Sequence, residues 1–429
     1  MGTKKNTKIK SSLWDEIYYY YYNEYSDRTI RSETQFNGEL DMDVLVQAFN
    51  KTIDLIPVLK SRWVTGWFNN YWEVIQDFDI RNNLTVTENF EVAENFMVDN
   101  IDAKAGAQIK VLIYRHDGKD SMRILYNHMI SDGAGMKDFY RLLSRYYSGL
   151  KHNKEFVMTD FINGDRQFWQ LFKNFSFGQR LKFAFAKDST IKYNSKLGFP
   201  YEKDAPATDK VLLKSNYDED FFIKFKEKNK KMGVTINDVI LAAFGRAMLD
   251  ICPDNKLPFD IDCSIDLRRY LREGKTTIIT NMVSGIVLPF IKVEGENFDE
   301  TVLRIHRLMN KLKNDYSCLN RLELLRLVSL ELKIPFLRKN IAKKNLGNSM
   351  TGISNVGSTT DDMVSYSGLN VEDFYIMGAM KYPPYTLITI YSFRNLLHIF
   401  TTIVGSKKDV ETGKLKLDLI KSYLKSYIE

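Results

Sequence analysis

The sequence predicts an α/β protein of two similar-sized domains. Three observations carry that prediction. The chain has 429 residues, more than one hydrophobic core ordinarily organises. Both halves mix short apolar runs of period two with longer runs at helical spacing. Between them, residues 151 to about 205 lose strand alternation and turn basic and aromatic, as in FWQLFKNFSFGQRLKFAFAK (168–187). These features divide the chain into a first half (1–165), a connecting segment with amphipathic helix (166–205) and a second half (206–429).

The elements follow in order. FNGELDMDVLVQAFNKTIDLIPVLKSRW (36–63) reads as strand, turn, helix and strand. Asp41 is a good N-cap, Val44, Leu45, Ala48, Phe49 and Ile53 form one apolar stripe, and Pro57 lies beyond the helix end. WVTGWFNNYWEVIQ (63–76) reads as a hairpin around Asn69-Asn70, and AQIKVLIYRHDGKDSMRILYNHMIS (107–131) as one turning at Asp117-Gly118. In its second strand, alternation puts Met122, Ile124, Tyr126 and His128 on one face. GMKDFYRLLSRYYSGL (135–150) is helical. In the second half VTINDVILAAFGRAMLDI (234–251) is the strongest helix, with Thr235 and Asp238 as a capping box. Strands are predicted at 259–266, 281–291, 350–356, 371–377, 385–392 and 396–403, and helices at 298–313 and 320–332.

Composition excludes several classes. Apolar residues make up 44%, enough for sizeable cores, and the net charge of +7 is spread along the chain. No compact basic motif stands out, so no nucleic-acid partner is expected. Cys252, Cys263 and Cys318 are odd in number and lack metal-ligand spacing. Neither a disulfide framework nor a metal site is expected, and a reducing, cytoplasmic setting fits. MGTKKNTKIKSSLW at the start has no following apolar run, so it does not read as a signal peptide; Asn at position 6 weakens a myristoylation reading. No run of about 20 apolar residues is present. The tyrosine run IYYYYYNEY (17–25) lacks interleaved basic residues and reads as packing of the first helix. RLELLRLVSLELKIPFLRKNIAKKN (321–345) reads as an amphipathic core helix with a basic tail. The connecting segment reads as interdomain packing, and peripheral membrane contact is not expected.

The stretch that carries chemistry is YNHMISDGAGMKDF (126–139). His128 ends a strand, where a rigid sheet hands side chains to a cleft. An imidazole there can take a proton from a hydroxyl, amine or thiol near neutral pH. Asp132 can fix the turn, and Gly133 and Gly135 allow close backbone approach at a helix N-terminus. His116, His152, His306 and His398 have no comparable setting and read as structural.

NHMISDG (127–133) resembles the His-x-x-x-Asp-Gly motif of the chloramphenicol acetyltransferase-like superfamily. That group includes peptide-synthetase condensation domains, plant-type acyltransferases, wax ester synthases and alcohol acetyltransferases. The stretch does not stand alone. Residues 36–63 are similar to the family's opening strand–helix–strand. GVTINDVILAAFGRAM (233–248), SIDLRRYL (264–271), TNMVSGIVLPF (280–290) and GISNVGS (352–358) occur in the family's order. The resemblance covers about residues 12–429 and is strongest to the stand-alone alcohol acetyltransferase branch. It implies two related domains, each a mixed sheet with flanking helices, and an active-site tunnel between them.

The same resemblance implies an acyltransferase that moves an acyl group from acyl-CoA to an alcohol or amine. His128 would be the general base, Asp132 a structural residue paired with Arg268 (Arg269 second), and Gly133 the family's glycine. Asn281 and Ser284, with Tyr126 and Asn127, are candidates for the oxyanion site or tunnel wall. Ser354, Asn355 and Gly357 would mark a crossover strand. Transfer would be direct, since no serine or cysteine accompanies His128 in a nucleophile motif. No bound cofactor is implied, acyl-CoA being a co-substrate. The alternatives are a condensation or release enzyme using an acyl-carrier protein, or a non-catalytic binding module. Asn127 stands where condensation domains carry a first histidine, and the plant Asp-Phe-Gly-Trp-Gly motif is missing, which disfavour those branches. The apolar MVSGIVLPF (282–290) implies a hydrophobic or mildly amphipathic acceptor.

Overall fold

The computed structural model describes residues 7–20, 24–152, 166–185, 197–255, 258–271, 279–320, 322 and 349–429. The helix expected at 320–332 and the stretch 321–345 lie almost wholly outside these. The first half supplies β1 (Lys8–Lys10), α1 (Leu13–Tyr20), β2 (Thr29–Phe36), α2 (Met42–Leu55), β3 (Ser61–Val64), β4 (Tyr71–Val74), β5 (Leu84–Thr87), α3 (Phe90–Val98), β6 (Ile109–His116), β7 (Lys119–Asn127) and α4 (Gly133–Lys151). After α5 (Phe177–Phe185) come β8 (Asp209–Tyr217), α6 (Glu219–Met232), α7 (Ile236–Ile251), β9 (Phe259–Asp266), β10 (Val283–Phe290) and α8 (Phe298–Asn314). The chain ends with β11 (Thr351–Thr359), β12 (Val371–Met377), β13 (Thr386–Phe393), β14 (Leu396–Gly405) and α9 (Lys407–Ile428).

Local chemistry explains the helices that matter. Asp41 caps α2 by accepting from Val44 N, and Leu45, Ala48, Phe49 and Ile53 are fully buried on the face toward α4. α4 returns Met136, Phe139, Tyr140 and Leu143 to the same core. The Thr235–Asp238 capping box forms at the head of α7, which is buried along most of its length. The β6–β7 hairpin turns at Asp117-Gly118, both with positive φ, as a two-residue turn requires. The β3–β4 hairpin differs from the expected turn. Val64 pairs with Tyr71, so residues 65–70 form the loop, and buried Asn70 donates to Tyr20 Oη at 3.0 Å.

Two principal sheets result. One is five-stranded, β12-β2-β7-β6-β5, and the other six-stranded, β10-β9-β11-β13-β14-β8; β1, β4 and β3 form a small third sheet. One strand joins the lobes. β12 comes from the second half yet pairs antiparallel with β2, Phe374 opposite Thr34 and Met377 opposite Arg31. This corrects the expected crossover at Ser354, Asn355 and Gly357. Those residues lie in β11, which pairs in parallel with β13 and β9 inside the second-lobe sheet. Alternation shows which face a side chain takes, not which sheet receives the strand. The head of α4 thereby meets the second lobe directly, through Asp132 with Met282 and Arg268 and through Gly133 against Val356 of β11.

Among the described residues, no single helix is long and apolar enough to cross a membrane. The bent pair α6–α7 passes such a test only jointly, and α7 is a core helix.

Candidate active site

The turn between β7 and α4 is built by backbone bonds and one amide side chain. His128 N donates to Arg28 O at 2.8 Å. Asn127 Nδ2 donates to Gln108 Oε1 at 2.6 Å, and its Oδ1 accepts from Met129 N at 2.9 Å. Asn127 therefore spends its side chain on the turn, and does not serve as the expected oxyanion or tunnel residue. Tyr126 is likewise not on the tunnel wall. It is fully buried under α4, its ring 5.6 Å from that of Phe139. Alternation sends Met122, Ile124 and Tyr126 into this core, but His128 lies past the last strand residue, where the turn redirects it toward Tyr18 and Asn281.

His128 Nδ1 lies 2.9 Å from Ser131 O. A carbonyl oxygen only accepts, so Nδ1 carries the proton and Nε2 keeps its lone pair. Asn281, brought from the second lobe, donates through Nδ2 to His128 O at 3.0 Å, with the same nitrogen 3.1 Å from Nδ1. Tyr18 of α1 lays its ring 4.7 Å from the imidazole and hydrogen-bonds Asn281. Burial lowers the His128 pKa from its ordinary 6.5; Asp132 opposes that shift and Lys381 adds to it. The ring is therefore held neutral at neutral pH, as a proton acceptor must be.

Asp132 is the N-cap of α4 and accepts from Gly135 N at 2.9 Å. Its other oxygen accepts from Met282 N at 2.7 Å and Arg268 Nη1 at 2.8 Å, both from the second lobe. Arg268 also donates to Asp266 Oδ1 at 3.1 Å and Thr280 O at 2.7 Å. Burial works against the Asp132 charge, yet Arg268 and the backbone N–H groups outweigh it and hold the pKa below the usual carboxylate range. Arg269, the second candidate, is exposed over the Tyr270 ring.

Gly133 is a spacer: a Cβ there would lie 2.6 Å from Val356 Cγ1 of β11. Lys137 Nζ donates to Val356 O at 2.8 Å, closing the same contact. Ser284 departs from expectation, because its hydroxyl donates to Cys318 O at 2.7 Å and is not offered to the cleft.

Three residues that the sequence reading did not single out bear on this turn: Tyr18 lies against the His128 ring, Lys381 acts electrostatically on His128, and Asp262 acts on Tyr18 and Lys381. Tyr18 was hidden in a tyrosine run that reads as packing. Asp262 had a legible signal, since β9 reads Phe-Asp-Ile-Asp-Cys-Ser-Ile-Asp, a strand with polar residues on one face. Burial pushes the Asp262 carboxyl up to about 6, while Lys381 pulls it down. Burial lowers the Lys381 pKa in turn, and Asp262 and Asp27 oppose that. Among the described residues, no group of three His, Cys, Asp or Glu side chains could hold a metal ion.

No protein-family model and no curated protein matches the chain in sequence. Solved structures match it along its whole length. The epimerization domain from the third module of tyrocidine synthetase B superposes with a TM-score of 0.72 at 14% identity, covering 100% of this chain and 98% of that one. Polyketide synthase associated protein 5 from Mycobacterium tuberculosis gives 0.68 at 14%, covering 97% of both chains. The trichothecene 15-O-acetyltransferase TRI3 from Fusarium sporotrichioides gives 0.67 at 13%, covering 100% of this chain and 97% of its own. Likeness at these identities establishes the fold. The chain has the two-lobed chloramphenicol acetyltransferase-like fold that the sequence resemblance implied.

Proposed function

We propose that the protein transfers an acyl group from an acyl-CoA thioester to an alcohol or amine, with His128 as general base. The observation that carries this reading is the 2.9 Å contact of His128 Nδ1 with the Ser131 carbonyl, in which Nδ1 is the donor and Nε2 is left as the base. Nε2 takes the proton of the acceptor as its oxygen or nitrogen bonds to the thioester carbon. The resulting tetrahedral intermediate collapses with cleavage of the C–S bond. The imidazolium returns its proton to the departing thiolate, which leaves as free CoA. Asp132 has a positioning role, because its acceptor sites are taken by α4, Met282 and Arg268.

Two structural relatives support the two halves of the reading. TRI3 is an O-acetyltransferase, and the starter condensation domain of rhizomide synthetase was solved in complex with C8-CoA. The second reading, donation by an acyl-carrier protein, is favoured by the condensation domains among the similar structures, such as the first one of the calcium-dependent antibiotic synthetase. The test measures thiol release from acetyl- and octanoyl-CoA with and without alcohols and amines. Acceptor-dependent release supports the first reading. Turnover only with the same acyl groups on a carrier protein supports the second, and no turnover with either donor overturns both.

A further inference from the structure

We propose that the outer face of α5 docks on an anionic lipid surface, whichever acyl donor the protein uses. The first observation is periodicity. In α5 (Phe177–Phe185), Phe177, Leu181 and Phe185 recur every four residues and so share one side of the helix. They are 74%, 42% and 72% exposed. The helix does not need them for packing, because Phe183, on the opposite side, is buried and holds it down. The Phe183 ring lies 5.1 Å from that of Phe175 and 5.8 Å from that of Tyr316, and Phe175 lies 6.0 Å from Tyr270. Asn174 Nδ2 also donates to Tyr270 O at 2.6 Å. The packing expected of the connecting segment thus uses one face of α5 and leaves an apolar one in water.

The second observation is charge. Between residues 167 and 185 the charged side chains are Lys173, Arg180 and Lys182, with no acid among them. Lys173 and Lys182 are exposed, and so is Arg269, which lies over the Tyr270 ring. The acids at the packed positions are Asp266, held by Arg268, and Asp315, next to Tyr316. Cations therefore outnumber acids around the stripe, and this complementarity selects the occupant. Phenylalanine and leucine alone would suit any apolar partner. Lysine and arginine beside them suit one that spreads negative charge over an apolar interior. An anionic bilayer has both, since the rings enter the headgroup–acyl boundary while the cations meet phosphates. The stripe runs only about 12 Å along the helix, so docking is reversible and sensitive to salt.

The experiment sediments the full chain with vesicles of phosphatidylcholine, with or without phosphatidylglycerol. Binding to the mixed vesicles should exceed that to phosphatidylcholine by about tenfold and fall as salt rises. Phe177→Ser combined with Phe185→Ser should weaken it by at least about tenfold. Lys173→Glu combined with Lys182→Glu should remove the preference for the anionic lipid. All four positions are exposed, so both variants should keep the wild-type circular-dichroism spectrum and Tm. Should the serine variant not fold, the glutamate variant decides alone, and a retained preference there overturns the proposal. A wild type that stays in the supernatant with both vesicles overturns it, as does equal binding to the two, or binding that the folded serine variant retains. Self-association that the serine variant loses, without vesicle binding, overturns it too and assigns the stripe to a second copy of the chain.

Discussion

Asp132, at the head of α4, accepts hydrogen bonds from Gly135 N, Met282 N and Arg268. Asp262, in β9 of the six-stranded sheet, keeps a buried oxygen that accepts from nothing among the described residues. Both carboxylates sit in low-dielectric surroundings, yet their proton affinities move in opposite directions. Arg268 and the N–H donors hold Asp132 below its ordinary value, whereas burial pushes Asp262 up to about 6. The difference lies in partners rather than depth. A carboxylate saturated by donors from both lobes fixes the turn that carries His128. One left without them holds its proton more tightly.

The strongest way to break this comparison is at the residue the Asp132 clamp is argued to serve. His128→Ala should lower kcat by roughly two to four orders of magnitude, the usual range for losing a general base, with the far-ultraviolet spectrum unchanged. His128→Gln, which keeps size and polarity, should be nearly as inactive. An alanine variant that still turns over removes the chemical reason for the clamp.

Next in size comes the clamp itself. Arg268→Ala strands the buried Asp132 charge and should cost about 3 kcal/mol in denaturant unfolding, with a lower rate because the turn relaxes. Asp132→Asn should also destabilise, by leaving Arg268 with less to hold. The pH dependence has a definite sign. Because the folded-state pKa of Asp132 is depressed, its contribution is fully present above 3.8 and lost as pH falls through the lower folded value. The wild type should therefore lose stability more steeply than Asp132→Asn at acid pH. Equal unfolding midpoints for Arg268→Ala and wild type would show that the pair does not join the lobes.

How much of this was legible in the sequence follows the range of the interactions. Asp41, Thr235 with Asp238, and Asp117-Gly118 act within a few residues, and each forms the cap or turn its spacing predicts. The strands at 259–266 and 371–377 have the predicted bounds, because alternation is a local property. The pairing of Arg268 with Asp132 spans 136 positions, and only the family resemblance pointed to it. Pairing of β12 with β2 was not legible, since nothing in residues 371–377 names a strand more than 300 positions earlier. Tyr126 misled because strand alternation was carried one residue too far, across the end of β7. Ser284 was read as a candidate donor to the oxyanion, but a strand position alone cannot tell that its hydroxyl donates to Cys318 O.

A smaller effect tests the base through its titration. Burial depresses the pKa of His128, and Lys381 adds to that while Asp132 opposes it. The acid limb of kcat/KM should have its midpoint below the ordinary histidine value of 6.5. Asp262→Asn should leave a limb in place, because the limb belongs to His128. A midpoint above 6.5, or loss of the limb in Asp262→Asn, would transfer the titrating role to the other side of the cleft.

The smallest expected effect separates the two carboxylates most sharply, because its sign reverses. Asp132→Asn should destabilise, but Asp262→Asn should stabilise the free protein at pH 7. The folded-state pKa of Asp262 is raised from 3.8 to about 6. Between those values the folded state binds more protons than the unfolded one, so stability falls as pH rises through the window. Above it the full cost of holding the charge is present, and below it the cost vanishes. Asparagine removes that cost but also removes the charge that favours the Lys381 ammonium, so the net gain should be only about 1 kcal/mol, or about 1 °C in Tm. The gain should shrink or reverse at pH 3, below both values, where Asp262 is largely protonated in both states. A lowered Tm at pH 7 would mean that Asp262 is a structural partner like Asp132.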